Sequence, residues 1–443
     1  MNDSPVLVSS SYILALTDIM RHSSVTLRPD PSRTVIRPFS PEDPAGFAVP
    51  GHPRSERIID RLLDLDESWL ELGRERATAL LAQRHRDMEG VLLRRFDELA
   101  GIATRNDISR DQALIIGGFF SQEYSFEAAA LFNPSVVVHA DQSGLPDGAV
   151  RFIISLRGIG EGHVSSVTFR TGVWTPGQSI VIDPVSCYAI PPHADRIEGE
   201  EDESAIRLCF RESQDISENV IFPMAPSQRQ GVEDVRLVRF AEDEGACEYL
   251  GTYTAFSGAE IRSELLRTCD FRTFEMRPLK GSAAGGKGMA LFPRRVDGRY
   301  AMLGRHDNEN IWYLTSDDLY TWNDARKIVT PHWPWEFVQI GNCGSPIEID
   351  EGWLVIIHGV GLLRNYTISA CLLDKQDPSK LLARTGRPLL RPSPEERNGY
   401  VPNVVYSCGG LVHQRILLLP YGVADNFATF ATMPIDDLLA EME

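Results

Sequence analysis

NPSVVVHAD at residues 133–141, followed by RFIISLRG at 151–158 and VSSVTFR at 164–170, decides how the chain is read. Each run is rich in β-branched and aromatic residues and is bounded by Gly, Asp or Asn, the pattern of short antiparallel strands joined by turns. The same trio recurs four more times. The openings are EDVRLVRFAE at Glu233, GMALFPRRVDG at Gly288, GSPIEIDEG at Gly344 and PNVVYSCGG at Pro402. Their partner strands are EYLGTYTAFSG from Glu248, RYAMLGRHD from Arg299, GWLVIIHGVG from Gly352 and RILLLPYGVAD from Arg415. Third strands follow as IRSELLR, IWYLTS, YTISACLLD and FATFATM. Self-similarity at such a period is the mark of radial repeat folds. The expected fold class is therefore all-β, a five-bladed β-propeller with an N-terminal α-helical extension. The first interval is longer than the others because residues Asp195 to Gln230 insert.

Upstream of the repeats the pattern differs. From Arg54 to about Ala103 apolar residues recur at helical spacing (Ile58, Leu62, Leu65, Trp69, then Leu80, Leu81, Met88, Leu92, Phe96, Leu99), which predicts one long or two short amphipathic helices. Before them Pro38, Pro41, Pro44, Pro50 and Pro53 exclude a helix or a central strand. The expected organisation is an N-terminal arm and Pro-rich linker over 1–53, a helical extension over 54–106, and a catalytic propeller over 107–443. The helical face offers a surface for self-association into a homo-oligomer.

With 443 residues, 43% hydrophobic and 24% charged, the chain can bury a large core. A net charge of −18 argues against nucleic acid as a partner, because neutralising phosphates requires clustered Lys and Arg. The seven cysteines are scattered, with no C-x-x-C pair, and read as buried free thiols of a cytoplasmic protein. The apolar stretch Tyr12 to Leu16 lacks a basic flank and is too short for a signal peptide or a membrane span, so no membrane association is expected.

In a propeller the start of strand one and the end of strand two of every blade meet at one mouth of the central channel. That rule selects Asn133, Arg157, Glu161, His163, Glu233, Asp234, Arg236, Lys287, Arg305, Asp307, Glu309, Asn310, Glu348, His358, Tyr421 and Asp425. Nearly all are polar although the strands leading to them are apolar, and charges are not buried without a reason. Asp234 and Arg236, two apart, read as sharing one strand face, where they could equally pair with a neighbouring blade. Lys287 in GGKG reads either as an anion ligand or as a solvated turn lysine. Two carboxylates flanking a sugar suit glycosidic cleavage by water. A phosphate held by Arg and Lys could instead attack the anomeric carbon, and then one acid suffices. No G-x-S-x-G, H-E-x-x-H or P-loop pattern is present.

The motifs NPS, EDVRLV, KGMALFPRR, GRYAMLGRHDNEN, DDLYTW, QIGNCGSPIE, GWLVIIHGV, LLDKQDPSK and YVPNVVYSCG occur in this order and together resemble glycoside hydrolase family 130, the β-mannoside phosphorylases and β-1,2-mannosidases. The likeness runs from about Leu114 to the end and takes in LRPDPSRTVIRPF near the start. It implies a five-bladed propeller, inversion at the anomeric centre, a short oligosaccharide substrate, and no metal or organic cofactor, with inorganic phosphate as co-substrate in a phosphorylase. It further implies an Asp proton donor acting through a mannose hydroxyl, with Arg and Lys binding phosphate. Glu161, in RGIGEGHVSS, stands where that acid is expected, which departs from the family pattern. Glu233 and Asp234 match the acidic pair, Lys287 the lysine before the ALFP strand, and Arg305 the arginine after it. The catalytic expectation is thus Glu161, Glu233 and Asp234, with Arg157, Arg236, Lys287 and Arg305 as phosphate ligands in a phosphorylase and the remaining selected residues binding substrate. The helical N-terminal region and EGHVSS lean towards hydrolysis of β-mannosides; phosphorolysis is the alternative, and a non-catalytic glycan-binding propeller a second one.

Overall fold

A computed structural model describes residues 19–99, 108–242 and 247–443. Tyr12 to Leu16, residues 100–107 and the Leu80 side chain lie outside the described part. The five repeated segments each form antiparallel strands, but they do not assemble as an all-β ring of five separate blades. The strands form one eleven-stranded, two five-stranded, one four-stranded and one two-stranded sheet. None of these is closed by strand pairing. The first two repeats share the eleven-stranded sheet, with Gly231 opposite Ser165 in a parallel step between them. Five α-helices accompany the sheets among the described residues. The five-bladed all-β expectation is corrected accordingly: the architecture is mixed, with open sheets and a substantial helical part.

The inserted segment accounts for part of the difference. Val220–Ile221 pairs with Ser165–Trp174, while His193–Arg196 and Ile206–Cys209 extend the outer edge beyond Thr273–Pro278. The insertion is therefore a sheet extension that joins two repeats. Its inward residues Ile206, Leu208, Phe210 and Ile221 pack into the same core as Phe169, Phe271 and Phe274.

The N-terminal arm is tied down at several points. Arg21–Leu27 pairs with Phe427–Pro434, and Val35–Pro38 pairs with Ser121–Tyr124. Between these strands the buried Arg33 reaches Glu127 at 3.0 Å, and Glu127 also takes Arg170 at 3.0 Å. Leaving any of these charges unpaired in the interior would be costly, so the triad fixes the arm on the first sheet.

The helical run divides into α1 (Arg54–Leu63), α2 (Glu67–Glu75) and α3 (Met88–Leu99), with α2 continuing as one π-helical turn over Arg76–Leu80. Asp66 caps α2 by accepting the Trp69 amide at 3.0 Å. Helix α4 (Arg110–Phe119), which the strand-centred reading did not foresee, starts on a capping box between Ser109 and Gln112. Ile59, Leu62, Leu99, Ile115 and Ile116 form the core between the helices. Trp69, expected on that buried face, is 56% exposed. All cysteines are free; Cys343, Cys371 and Cys408 are buried as expected, but Cys187, Cys247 and Cys269 are exposed. No described helix is long and apolar enough to cross a membrane.

Candidate active site

The site is built on backbone irregularities at the openings of the repeats. Strand Ala130–Val138 shifts register between Phe132 and Ser135, and strand Gly231–Ala241 shifts between Glu233 and Arg236. At these bulges Asn133 has φ 48° and Asp234 φ 53°, left-handed values that short polar side chains tolerate best. The bulges aim the two side chains at each other, and Asn133 Nδ2 donates to Asp234 Oδ1 at 2.7 Å. Gly288 (φ 93°) and Asn403 (φ 64°) hold corresponding left-handed positions in the third and fifth repeats.

Arg157, near the end of strand Val150–Ile159, crosses this gap. It donates to Glu233 Oε1 at 2.7 Å, to Asp234 Oδ1 at 3.2 Å and to Ser165 Oγ at 2.9 Å. Burial lifts the Glu233 carboxyl above its ordinary range despite Arg157, and the neighbouring Asp234 charge adds to the rise. Burial works in the same direction on Asp234, yet Arg157, the Asn133 amide and Arg236 together hold it below the usual carboxylate range. Asp425 (φ 50°) completes the acidic cluster, pushed up to about 6 by burial and the Asp234 charge against the pull of Arg157 and Arg364. Side by side, therefore, stand one carboxylate whose proton affinity is lowered and two whose proton affinity is raised.

A cationic cluster adjoins it. Arg236 is 2% exposed and donates to the Cys343 carbonyl at 2.8 Å and to the Tyr406 hydroxyl at 2.7 Å. Arg305, at the end of strand Tyr300–Gly304, lies 3.0 Å from His358 Nε2 and leaves its own Nε without a partner. Burial, then Arg305, Arg236 and Lys287, push His358 well below its ordinary pKa. Two glycines make room for this pair: a Cβ on Gly288 would come within 2.4 Å of Arg305 Nε, and one on Gly341 within 2.6 Å of His358 Cε1. Lys287 bears electrostatically on Glu233, Asp234 and His358 and so faces both clusters. Among the described residues, none of Arg236, Lys287 and Arg305 forms an ion pair with a carboxylate. The distribution is uneven: Arg157 has two carboxylates, its cationic neighbours none.

The other selected residues are more dispersed. Glu161 is exposed, with only its carbonyl engaged, by the Tyr124 hydroxyl at 2.9 Å. His163 (φ 63°) is exposed beside it, its ring 4.5 Å from that of Tyr400. Asp307 accepts from the Glu309 and Asn310 amides and from Asn310 Nδ2, and these bonds outweigh partial burial to bring it to about 2. That turn braces the strand end bearing Arg305. Tyr421 is buried and bonds His22 of the arm at 2.9 Å. Glu348 is held in a bidentate pair with Arg294 at 2.8 and 2.9 Å, with Lys375 at 3.6 Å, and joins neither cluster. The reason is that the fourth repeat begins earlier, at Gln339–Asn342; that strand supplies Gly341 and leads into the Cys343 carbonyl. Tyr406 and Tyr366, which flank His358 at 5.0 and 6.0 Å, were not selected from the sequence. Among the described residues no group of three or more His, Cys, Asp or Glu side chains is placed to hold a metal ion.

This arrangement of acids and unpaired cations sits in a stretch with a known counterpart. The sequence profile of glycoside hydrolase family 130, described as beta-1,4-mannooligosaccharide phosphorylase, matches residues 208–443, more than half of the chain. The chain belongs to this family. A 1,2-beta-oligomannan phosphorylase of Thermoanaerobacter sp. is 39% identical over 154 residues, covering 34% of the family 130 chain described here and 52% of the relative. A beta-1,2-mannobiose phosphorylase of Listeria innocua is 31% identical over 233 residues, 50% of this chain and 63% of that one. The chain thus spans about half to two thirds of the length of these curated relatives. The solved structure of the Listeria innocua enzyme with beta-1,2-mannobiose overlays with a TM-score of 0.51 at 20% identity, covering 71% of this chain and 92% of that one, a likeness of fold. Of the family 130 residues above, Glu233, Asp234, Arg236, Lys287, Arg305, His358 and Asp425 fall inside the profile match, whereas Asn133, Arg157, Glu161 and His163 precede it.

Proposed function

We propose that this protein is an inverting β-mannoside phosphorylase, acting on short β-1,2-linked mannosides to release mannose 1-phosphate. The observation that carries the reading is the absence of a carboxylate partner, among the described residues, for Arg236, Lys287 and Arg305. Buried guanidinium groups without a directly paired carboxylate are costly, and a bound dianion relieves that cost. A hydrolase would need no such cluster, only two carboxylates, one to protonate the leaving oxygen and one to activate water. The names of the relatives point the same way, so the hydrolytic leaning drawn from EGHVSS gives way to phosphorolysis.

In the proposed step, Arg236, Arg305 and Lys287 orient hydrogen phosphate, with Tyr406 and neutral His358 packed against them. A phosphate oxygen attacks the anomeric carbon of the terminal mannose. The bond from that carbon to the leaving-group oxygen breaks and its electron pair stays with the oxygen, which takes a proton from the Glu233–Asp234 pair through a mannose hydroxyl. The pair regains its proton from the phosphate hydroxyl, and the products are α-mannose 1-phosphate and the shortened sugar. Asp234 is the better positioned donor: its Oδ1 is held by Asn133 and Arg157 while Oδ2 has no partner among the described residues. Glu233, whose proton affinity burial raises, shares the proton of this adjacent pair and replenishes Asp234. Glu161 has neither burial nor a side-chain partner and is not given the acid role.

The test is incubation with β-1,2-mannobiose and β-1,4-mannosides, with and without phosphate. Mannose 1-phosphate appearing only with phosphate is expected; free mannose released at the same rate in both would overturn the reading in favour of hydrolysis, and inertness towards every mannoside would remove the enzymatic role.

A further inference from the structure

Tyr400 is 67% exposed and sits in a loop bonded to the turn that carries Asp425. Its ring centroid is 4.5 Å from that of His163, at an angle of 56°. His163 belongs to the short hairpin between strands Val150–Ile159 and Ser165–Trp174, and two consecutive left-handed residues, Gly162 (φ 70°) and His163 (φ 63°), turn it outward.

The loop carrying Tyr400 is fastened to the turn that carries Asp425. Val401 N donates to the Ala424 carbonyl at 3.2 Å, and Asn426 Nδ2 donates to the Asn398 carbonyl at 3.2 Å. Gly399 packs so tightly there that a Cβ would come within 2.1 Å of the Ala424 oxygen. Asp425 in turn interacts with Asp234 and Arg157. Tyr400 is thus tied to the carboxylate side of the site, through the turn that carries Asp425 and through His163 on the hairpin that follows the Arg157 strand.

That placement assigns a side of the substrate. In a displacement with inversion, nucleophile and leaving group occupy opposite faces of the anomeric carbon. If the cationic cluster holds phosphate and the carboxylates protonate the leaving oxygen, the group beyond the carboxylates is the leaving sugar. Pyranose rings present a face of C–H bonds that packs against an aromatic ring. Resting on the phosphorylase reading above, we propose that Tyr400, supported by His163, is the platform on which the leaving-group sugar stacks, and that this pair sets which acceptor sugars the enzyme uses in the synthetic direction.

The experiment compares wild type, Tyr400→Ala and Tyr400→Phe. Calorimetric titration with β-1,2-mannobiose should show affinity about tenfold weaker in Tyr400→Ala and within about twofold of wild type in Tyr400→Phe, the range expected for loss of an aromatic contact. In the synthetic direction, Tyr400→Ala should raise KM for acceptor mannose about tenfold while leaving KM for α-mannose 1-phosphate within about twofold. Unchanged disaccharide affinity in Tyr400→Ala, or equal rises in both KM values, overturns the platform, as does a wild type that does not bind the disaccharide. A wild type that binds mannobiose yet neither consumes nor forms mannose 1-phosphate refutes the phosphorylase reading instead, and the calorimetry still decides whether Tyr400 contacts the sugar. The exposure of Tyr400 means that the variants should keep the wild-type unfolding temperature, which serves as the control.

Discussion

Arg305 Nη1 lies 3.0 Å from His358 Nε2, and because a guanidinium can only donate, the imidazole nitrogen must accept. His358 is therefore neutral with its proton on Nδ1, in agreement with burial and the surrounding cations pushing it well below its ordinary pKa. The folded state then binds fewer protons than the unfolded one, so this contribution to stability is full above the unfolded value of about 6.5 and is lost as pH falls below it. One pH unit below that value the loss amounts to about 1.4 kcal/mol. Denaturant titrations at two pH values on either side, without phosphate, should show this drop in wild type and a smaller one in His358→Gln. Equal pH dependence in the two proteins would exclude a buried neutral His358.

The same pair explains Gly341. A Cβ at this position would lie 2.6 Å from His358 Cε1 and 2.9 Å from Arg305 Cδ, and both side chains are buried, so neither can withdraw freely. Gly341→Ala should displace Arg305 and raise KM for phosphate by about tenfold or more, the value of one charge-assisted hydrogen bond. Affinity for the disaccharide should change much less. Steady-state kinetics with each substrate varied in turn separates the two effects; a rise confined to the sugar KM would contradict the assignment of Arg305 to phosphate.

How far these features were legible depends on whether they follow from local pattern or from pairing at a distance. The strands of the five repeats are visible in alternation and turn residues, and Asn133, Asp234 and Lys287 are legible because they stand where the first strand of their repeat opens. The joining of two repeats in one sheet was not visible, since His193–Arg196 and Ile206–Cys209 are short and half polar and acquire strand character only from their partners. Asp234 and Arg236 were read as sharing a face; the register shift between Glu233 and Arg236 sends one to Arg157 and the other to Tyr406. Tyr406 lies in the interior of PNVVYSCGG, away from the strand ends at which a propeller gathers its channel-mouth residues. Glu348 was selected on the assumption that its repeat opens at Gly344, and that choice failed when Gln339–Asn342 proved to be the strand nearer the cations.

Asp425 illustrates a conflict between stability and function. Its carboxyl, shifted up to about 6, is more readily protonated in the folded than in the unfolded chain. The associated stability is fully present below the unfolded value of about 3.9 and is lost as pH rises through 6. At pH 8 the ionised group is thus a net burden, and Asp425→Asn should stabilise the protein there by about 3 kcal/mol, with the gain vanishing towards pH 4. Thermal unfolding of both proteins across this range checks the sign. A gain independent of pH would mean that the carboxyl does not titrate where its burial and the Asp234 charge put it.

The assignment of the proton donor is open to a direct comparison. Asp234 lies between Asn133 and Arg157 with one oxygen unengaged, whereas the Glu161 side chain is exposed and has no partner among the described residues. Asp234→Asn should lower kcat by about 10²–10⁴, the usual contribution of a positioned general acid, while Glu161→Gln stays within about threefold of wild type. The amide keeps the size of Asp234 and can still meet Arg157 through its oxygen, so a fall in kcat without a matching fall in unfolding temperature isolates the chemical role. A leaving group that needs no proton provides the sharper discriminant. With β-mannosyl fluoride and phosphate, Asp234→Asn should recover most of the lost rate, because fluoride departs with little help from an acid. If Asp234→Asn is equally slow on the fluoride, the residue orients the mannose ring and does not deliver the proton, and Glu233, whose burial favours the protonated form, becomes the donor.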